Sequence, residues 1–153
     1  MTRLRRATPD DRRAITELLI LTGLPLAGAE AHLADFVVAE NPAVVGCAGL
    51  ERYGSAALLR SVTVSPLLRG AGIGTALVEE CIAMARATGI TKLVLLIETA
   101  ETFFSTFGFV RVARTAVPAA VQESEELRGA CPVSATAMYL DLCRADGLPG
   151  TRA

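Results

Sequence analysis

Tryptophan is absent from this sequence, aromatic residues are scarce and the charge is almost balanced. Only 5% of the 153 residues are aromatic, so we do not expect the base-stacking surface of a single-stranded nucleic-acid binder. The net charge of −1 supplies no basic field for nucleic acid or for an anionic membrane. These absences predict a protein without a nucleic-acid or membrane partner.

Long hydrophobic runs and paired cysteines are also missing. No run of about 18 apolar residues could span a membrane, and no apolar stretch follows the first six residues as in a signal peptide. We therefore expect a cytoplasmic protein. The cysteines show neither a CxxC pair nor metal-ligand spacing, so no metal site is predicted. They are Cys47, Cys81, Cys131 and Cys143.

The remaining composition is that of one globular domain. The chain is 52% apolar and 20% charged, which is enough apolar surface for a single core and too little charge for a disordered chain. Cys47 and Cys81 lie within apolar patterns and should be buried. We expect residues 1–143 to form the domain. Residues 144–153 have glycine and proline but no periodicity, which predicts a disordered tail.

A glycine-rich stretch is the most informative part of the chain. It follows an apolar run ending at Val64 and precedes a helical pattern that begins near Gly72. Glycines let backbone N–H groups approach a ligand and adopt positive φ, and a helix N-terminus attracts anions. The sequence therefore predicts a pyrophosphate site. Its residues are Arg69, Gly70, Ala71, Gly72, Ile73, Gly74 and Thr75.

The spacing of the glycines distinguishes between several known classes of phosphate-binding loop. A P-loop is excluded because no Gly-Lys-Ser/Thr follows. The dinucleotide fingerprint G-x-G-x-x-G fits Gly70 and Gly72, but Thr75 occupies its sixth position. Glu98, at the end of the next apolar strand, lies where the dinucleotide fold has an acidic residue that binds a ribose hydroxyl, which favours the dinucleotide interpretation. However, at least three strands precede the loop, which argues against that fold. An ordinary strand–helix connection also stays open.

Hydrophobic periodicity predicts a mixed order of strands and helices. Short connections between the second, third and fourth strands favour antiparallel hairpins, and the nearly all-aliphatic fifth strand should be covered on both faces. A Thr-Pro-Asp-Asp cap begins the first helix at Thr8. Strands are predicted at 4–7, 36–39, 44–50, 58–64, 92–97, 109–113 and 133–142, and helices at 9–22, 27–34, 72–88 and 99–107, with partly helical structure at 114–132.

Two motifs in this order resemble the GNAT N-acetyltransferase superfamily. The pattern R-G-x-G-x-G-x-x-L, from Arg69 to Leu77, resembles the family's acetyl-CoA loop, Q/R-x-x-G-x-G/A. Residues 100–109, AETFFSTFGF, resemble its A-x-x-x-Y-x-x-x-G-F segment. The resemblance spans residues 3–142. It implies an α/β fold of the α+β type, the GNAT fold, with a mixed, mostly antiparallel central sheet flanked by helices.

A closer resemblance narrows the predicted activity. Residues 95–104, LLIETAETFF, are similar to a T-x-T-A-x-x-F-F segment of two branches: the acetylglutamate-synthase-type amino-acid N-acetyltransferases and the small N-acetyltransferases associated with arsenic resistance. Residues 49–54, 58–61 and 131–135 resemble the second branch most. The resemblance implies an acyltransferase that moves acetyl from acetyl-CoA to the primary amine of an amino acid or amino-acid-like toxin. The alternative is an acyl-CoA-binding module with weak catalysis.

The resemblance also implies which residues hold acetyl-CoA. The glycine loop would bind its pyrophosphate, and the backbone of the preceding strand would bind the pantetheine arm like an added strand. Phe104 stands where many members have the tyrosine that protonates the leaving thiolate, so water or the new ammonium would supply that proton. The cofactor residues outside the loop are Ser61, Val62, Thr63, Val64 and Phe104; as a bland alternative, Val62 and Val64 are plain core residues.

Candidate catalytic residues are two carboxylates. Glu51 lies near a hairpin end beside the predicted cofactor strand and is the first candidate for the base, and Glu98 is the second. A cross-strand ion pair with Arg60 is the structural alternative for Glu51. Arg60 could also hold a substrate carboxylate, because guanidinium binds carboxylates bidentately. The only histidine, His32, could be a base, but a lone histidine on a surface helix is more often incidental.

The acceptor site and the assembly are the least constrained features. Ser134 lies where the chain would fold back over the acceptor in the amino-acid branch, and Thr99 follows the fifth strand. Together with Arg60, these two residues are the predicted substrate contacts. The expected partner is a small-molecule amine, and the sequence is compatible with both a monomer and a homodimer.

Overall fold

The computed structural model describes residues 2–132 and 134–143. The predicted tail at 144–153 and Val133, the first residue of the last predicted strand, lie outside the described residues. The strands are β1 Arg3–Arg6, β2 Phe36–Glu40, β3 Val44–Tyr53, β4 Ala56–Val64, β5 Lys92–Ile97, β6 Val110–Val112 and β7 Thr136–Asp141, and the α-helices are α1 Arg12–Thr22, α2 Ile73–Ala87 and α3 Glu101–Ser105.

The strands hydrogen-bond in the order β1-β2-β3-β4-β5-β7-β6. The β4–β5 pair is parallel, whereas the β1–β2, β2–β3, β5–β7 and β6–β7 pairs are antiparallel. This confirms the predicted mixed, mostly antiparallel sheet. The chain divides into two compact units, Met1–Glu51 with Leu59–Met84 and Arg52–Leu58 with Ala85–Ala153.

The first unit has a core in which α1 packs against β2 and β3. The apolar face of α1 contributes Ile15, Leu18 and Leu19, and Phe36 belongs to the same buried cluster. The predicted cap is present, although Pro9–Asp11 forms a 3₁₀ turn before α1 begins. The Thr8 amide donates to the Asp11 carboxylate at 2.8 Å, which satisfies one of the N–H groups at the helix start.

The second predicted helix differs from the structure. Residues 27–34 do not form one α-helix; instead a 3₁₀ segment covers Glu30–Asp35, and His32 within it has non-helical angles of φ −112° and ψ 15°. The physical reason is partly Gly28, whose φ of +85° cannot belong to a right-handed helix. This irregular segment sets the position of the histidine.

The second unit is built around β5. This strand pairs with β7 over its whole length and with β4 over residues 56–58. Its successive residues 93–95 are buried, as predicted for a strand that is covered on both faces. Its core includes Leu58, Val94, Val117 and Val121. The region 114–132 is partly helical, as predicted, with three short helical segments. Within the described ranges, no helix has both the length and the apolar character to cross a membrane.

Candidate active site

The glycine loop connects β4 to α2 within the first unit. Gly70 and Gly72 have φ of +88° and +84°, values that L-residues with a side chain rarely adopt. A Cβ built at either glycine would meet no atom within 4 Å. The backbone conformation, and not crowding, therefore requires these glycines, and the space beside the loop is open to a ligand.

The start of α2 completes an anion-binding geometry. The Ala76 amide donates to the Gly72 carbonyl at 3.1 Å, so the N–H groups of residues 73–75 precede the first bond of the helix and have no acceptor within it. The exposed Arg69 donates from Nε to the Val64 carbonyl at 3.2 Å, which holds its charge at the end of β4. The loop thus presents backbone donors, a helix dipole and a guanidinium side by side.

Close packing fixes where α2 begins, through a glycine that the sequence analysis did not single out. A Cβ at Gly46 on β3 would lie 3.1 Å from Leu77 Cδ1 and 3.1 Å from the Thr63 carbonyl. The buried side chains of Ile73 and Leu77 occupy this face of the unit. Gly46 therefore allows the first turns of α2 to lie directly on β3 and β4. This close packing fixes the position of the glycine loop relative to the two strands.

The strand before the loop contains a backbone irregularity at Ser61. Ser61 has φ of +59°, a left-handed conformation that costs about 1–2 kcal/mol for a residue with a side chain. The Arg60 Nε donates to its hydroxyl at 3.0 Å and the Cys47 thiol donates to its carbonyl at 3.2 Å. In the predicted cofactor strand Ser61, Thr63 and Val64 are buried and Val62 is half-buried.

Glu51 and Arg60 form a buried ion pair beside Ser61. Arg60 Nη1 lies 2.5 Å from Glu51 Oε2, and the two side chains expose 0% and 1% of their surface. Arg60 also donates to the carbonyls of Ala27 at 2.6 Å and Pro25 at 2.9 Å. The cross-strand pair considered as the alternative for Glu51 is therefore present. A substrate-binding role for Arg60 stays a prediction, since protein acceptors take at least four of its five N–H bonds.

The structure also brings His32 to this pair. His32 Nε2 lies 3.6 Å from Glu51 Oε1, and 27% of the His32 side chain is exposed. Nothing in the local sequence signals this contact, because residues 32 and 51 belong to separate elements.

The other predicted site residues lie in the second unit. Glu98 and Thr99 directly follow β5 and are exposed, as is Ser134. Phe104 in α3 is buried, with its ring centroid 5.0 Å from Phe103 and 6.0 Å from Phe109 in edge-to-face contacts. The roles predicted for these four residues stay predictions.

Two cysteines near the loop and strand are inert thiols. Cys47 and Cys81 are fully buried, as predicted, and burial raises the pKa of each thiol to about 12. Neither can act as a thiolate near neutral pH. Among the described residues, no group of three or more His, Cys, Asp and Glu side chains could hold a metal ion.

Sequence comparisons identify related proteins. Residues 32–111 match the family model described as acetyltransferase (GNAT) domain. An amino-acid acetyltransferase of Mycobacterium tuberculosis is 33% identical over 129 residues, which are 77% of this chain and 74% of that protein. An amino-acid acetyltransferase of Ralstonia nicotianae is 31% identical over 75% of this chain and 28% of its own length.

Solved structures share the same architecture. N-acetylglutamate synthase from Neisseria gonorrhoeae, complexed with coenzyme A and N-acetyl-glutamate, superimposes with a TM-score of 0.79 at 23% identity, over 94% of this chain and 36% of that chain. A Mycobacterium tuberculosis protein in complex with CoA superimposes with a TM-score of 0.77 at 25% identity, over 92% and 99%. The chain thus spans about a third of the Neisseria synthase and nearly all of the second protein.

Proposed function

The chain belongs to the acetyltransferase (GNAT) domain family, with that family's mixed seven-stranded sheet, and from this premise we propose that it transfers the acetyl group of acetyl-CoA to the primary amine of a small amino acid-like molecule. Acetyl-CoA is the cosubstrate. A cytoplasmic location and a homodimer stay predictions from the sequence.

The glycine loop is the observation that carries this proposal. The pyrophosphate of acetyl-CoA requires several donors converging on open space. The N–H groups at the start of α2, the positive φ values of Gly70 and Gly72 and the charge of Arg69 supply them. The pantetheine arm would then follow residues 61–64 through backbone hydrogen bonds, as an added strand does. Its thioester end would lie toward Ser61, the end of this segment farthest from the loop.

An amino acid is the acceptor that the relatives favour. Two proteins that are 33% and 31% identical to this chain are named amino-acid acetyltransferases. An arsenic-containing amino acid-like amine is a second candidate, because residues 58–61 and 131–135 resemble the arsenic-resistance branch in sequence. A panel of amines that begins with L-glutamate and includes the standard amino acids and an arsenical amine distinguishes the two.

Acetyl transfer needs a deprotonated amine and an exit for the thiolate. The carboxylate of Glu51 takes part in the deprotonation step, either as the base or through a neighbouring base, because it lies beside Arg60 and Ser61, at the thioester end of the strand. Glu98 is the second candidate. Phe104 carries no hydroxyl, so the thiolate would receive its proton from water or from the nitrogen itself. A thiol with an ordinary pKa of about 8.5 makes this acceptable.

Calorimetric titration of the protein with acetyl-CoA, desulfo-CoA and NADH tests the cosubstrate. Binding of both CoA species without NADH supports the proposal, whereas binding of NADH alone would support the dinucleotide alternative. Absence of CoA binding would overturn the assignment of the loop.

Turnover separates the enzyme from a binding module. With the amine panel above, an enzyme consumes acetyl-CoA, and Glu51→Gln should lower kcat far more than it weakens acetyl-CoA binding. A module that only binds acyl-CoA would bind acetyl-CoA tightly and acetylate no amine in the panel, and Glu51→Gln would then leave both properties unchanged.

A further inference from the structure

We propose that His32 is the general base that removes the proton from the amine. In this proposal Glu51, held by Arg60, is the carboxylate that orients this imidazole and balances its charge. The proposal rests on the proposed acetyl transfer and deepens it, because it identifies the group that accepts the proton. It also gives a role to the one histidine of the chain, which the sequence by itself presented as a possible base but more often an incidental residue.

The position of His32 in the first unit supports its assignment as the base. The pyrophosphate site at residues 69–75 and the thioester end at Ser61 are separated by the segment 61–64, which spans about 10 Å at the rise of a strand. A continuous set of polar contacts starts at that thioester end: Ser61 Oγ to Arg60 Nε at 3.0 Å, Arg60 Nη1 to Glu51 at 2.5 Å, and Glu51 to His32 at 3.6 Å. His32 is the outermost member of this set.

The solvent exposure of His32 and the burial of Glu51 also support this assignment. Glu51 exposes only 1% of its side chain, so a proton taken up by this carboxylate has no direct route to water. The guanidinium of Arg60 also occupies one of its carboxylate oxygens. His32 exposes 27% of its side chain and can exchange a proton with solvent after each turnover. Histidine is the side chain whose charge ordinarily changes between pH 5 and 8.

Glu51 is the carboxylate that approaches the imidazole from β3. On the same 3₁₀ segment, Glu30 pairs with Arg12 at 2.8 Å and Asp35 lies 3.5 Å from Arg6. From β4, Arg60 holds the Glu51 carboxylate in place. A carboxylate that is already fixed in place can therefore orient the imidazole, as in other base–carboxylate pairs.

The proton balance of the step is complete. His32 removes one proton from the ammonium group of the amine, and the neutral nitrogen forms a bond to the carbonyl carbon of the thioester. The C–S bond breaks, the thiolate of CoA leaves with the electron pair, and the second proton from the nitrogen passes to that thiolate. His32 then returns its proton to water, so that the products are the amide, CoA thiol and one released proton.

His32→Gln is the variant that tests the proposal, because glutamine keeps polarity and similar size but cannot accept the proton. With acetyl-CoA and the best acceptor of the amino-acid panel, we expect kcat at pH 7 to fall about 100-fold or more, while KM for acetyl-CoA and its calorimetric Kd change little. We expect the wild-type rate to fall toward acid as the base becomes protonated, and we expect that step to be missing from the pH profile of the variant. Glu30→Gln, an exposed change on the same segment, should behave as wild type.

The outcomes separate this proposal from the proposed function. Wild-type turnover with an unchanged rate and pH profile in His32→Gln would overturn the proposal, leave the acetyltransferase intact and favour Glu51 as the direct base. Failure of the wild-type protein to bind acetyl-CoA, or to acetylate any amine in the panel, would overturn both.

A measurement on protein with native His32 covers the case in which the variant does not fold. Because the chain has one histidine, its imidazole gives one set of NMR signals. At constant pH these signals should move when Glu51 is replaced by Gln, and again when the acetyl-CoA complex binds the acceptor amino acid. Signals that respond to neither change would overturn the proposal.

Discussion

Arg60 and Glu51 pair inside the protein, with 2.5 Å between Nη1 and Oε2 and no more than 1% of either side chain exposed. Removing two charges from water opposes folding, so such a pair is not by itself a source of stability. Its value lies in the geometry that it imposes. The same guanidinium holds the carbonyls of Pro25 and Ala27 and the hydroxyl of Ser61, so one side chain connects the segment that follows α1 to β4.

Breaking this pair from one side should be costly. Arg60→Met leaves the Glu51 charge buried without its partner and should lower the free energy of unfolding by about 3–5 kcal/mol in urea denaturation. The double variant Arg60→Met/Glu51→Leu should recover part of that loss, because no uncompensated charge remains. As a control, Arg111→Met removes an exposed pair with Glu101 and should leave the midpoint almost unchanged. A double variant less stable than Arg60→Met would contradict this account.

Substitution of a loop glycine should affect acetyl-CoA binding as well as stability, whereas substitution of a glycine elsewhere should affect stability alone. Gly70→Ala places a side chain at φ +88° and into the open space beside the loop, so we expect acetyl-CoA binding measured by calorimetry to weaken about tenfold or more. Gly54→Ala is the matched control: it introduces the same kind of strain, at φ +68° in the β3–β4 turn, also with nothing within 4 Å. The control should lose stability while its Kd is unchanged. Equal effects on Kd would show that strain alone is responsible.

Thiol labelling should distinguish the buried cysteines from the others. Cys143 is exposed and Cys131 is half-buried, whereas burial raises the pKa of the Cys47 and Cys81 thiols to about 12. At pH 8 the buried pair would be thiolate in about one molecule in ten thousand. The variant Cys131→Ser/Cys143→Ser should therefore not react with Ellman's reagent when folded and should react at two sites in guanidinium. Rapid labelling of the folded variant would disprove this burial.

Low pH should reduce the contribution of Asp11 to the free energy of unfolding. The Asp11 carboxylate receives two hydrogen bonds from Arg5, at 2.7 and 2.8 Å, which hold its pKa at about 2 in the folded protein against 3.8 for the free group. A lowered carboxyl pKa stabilises the fold above the unfolded value, and this stabilisation is lost as pH falls from about 4 toward 2. We expect about 1 kcal/mol, because the partly exposed Arg5 is screened by solvent.

The measurement compares urea denaturation of Asp11→Asn and wild type between pH 7 and pH 2.5. The stability difference should shrink at the acid end. Asp10→Asn, an exposed neighbour, controls for a general change of charge. A difference that stays constant with pH would show that Asp11 acts through its hydrogen bond to Thr8 and not through its charge.

The order of elements and the anion loop were predictable because their signals are local. The nearly all-aliphatic strand predicted at 92–97 has the bounds of β5 in the structure, and the pattern of α2 and its glycines lies within one stretch of about twenty residues. Prediction of the second helix, at 27–34, was wrong in type. Its apolar periodicity is weak, and Gly28 adopts a left-handed conformation that the composition of the segment did not reveal.

The sequence by itself determined the family, the mostly antiparallel sheet and the glycine loop, since each depends on residue types at short, regular spacings. Tertiary structure alone decided that His32 meets the Glu51–Arg60 pair, which the sequence offered only as an alternative, and it decided the left-handed Ser61 and the close approach at Gly46. These features depend on the register of β3 and β4 and on the path of an irregular segment. No local spacing encodes them, because the contacts join side chains that only the folded backbone brings within a few ångströms.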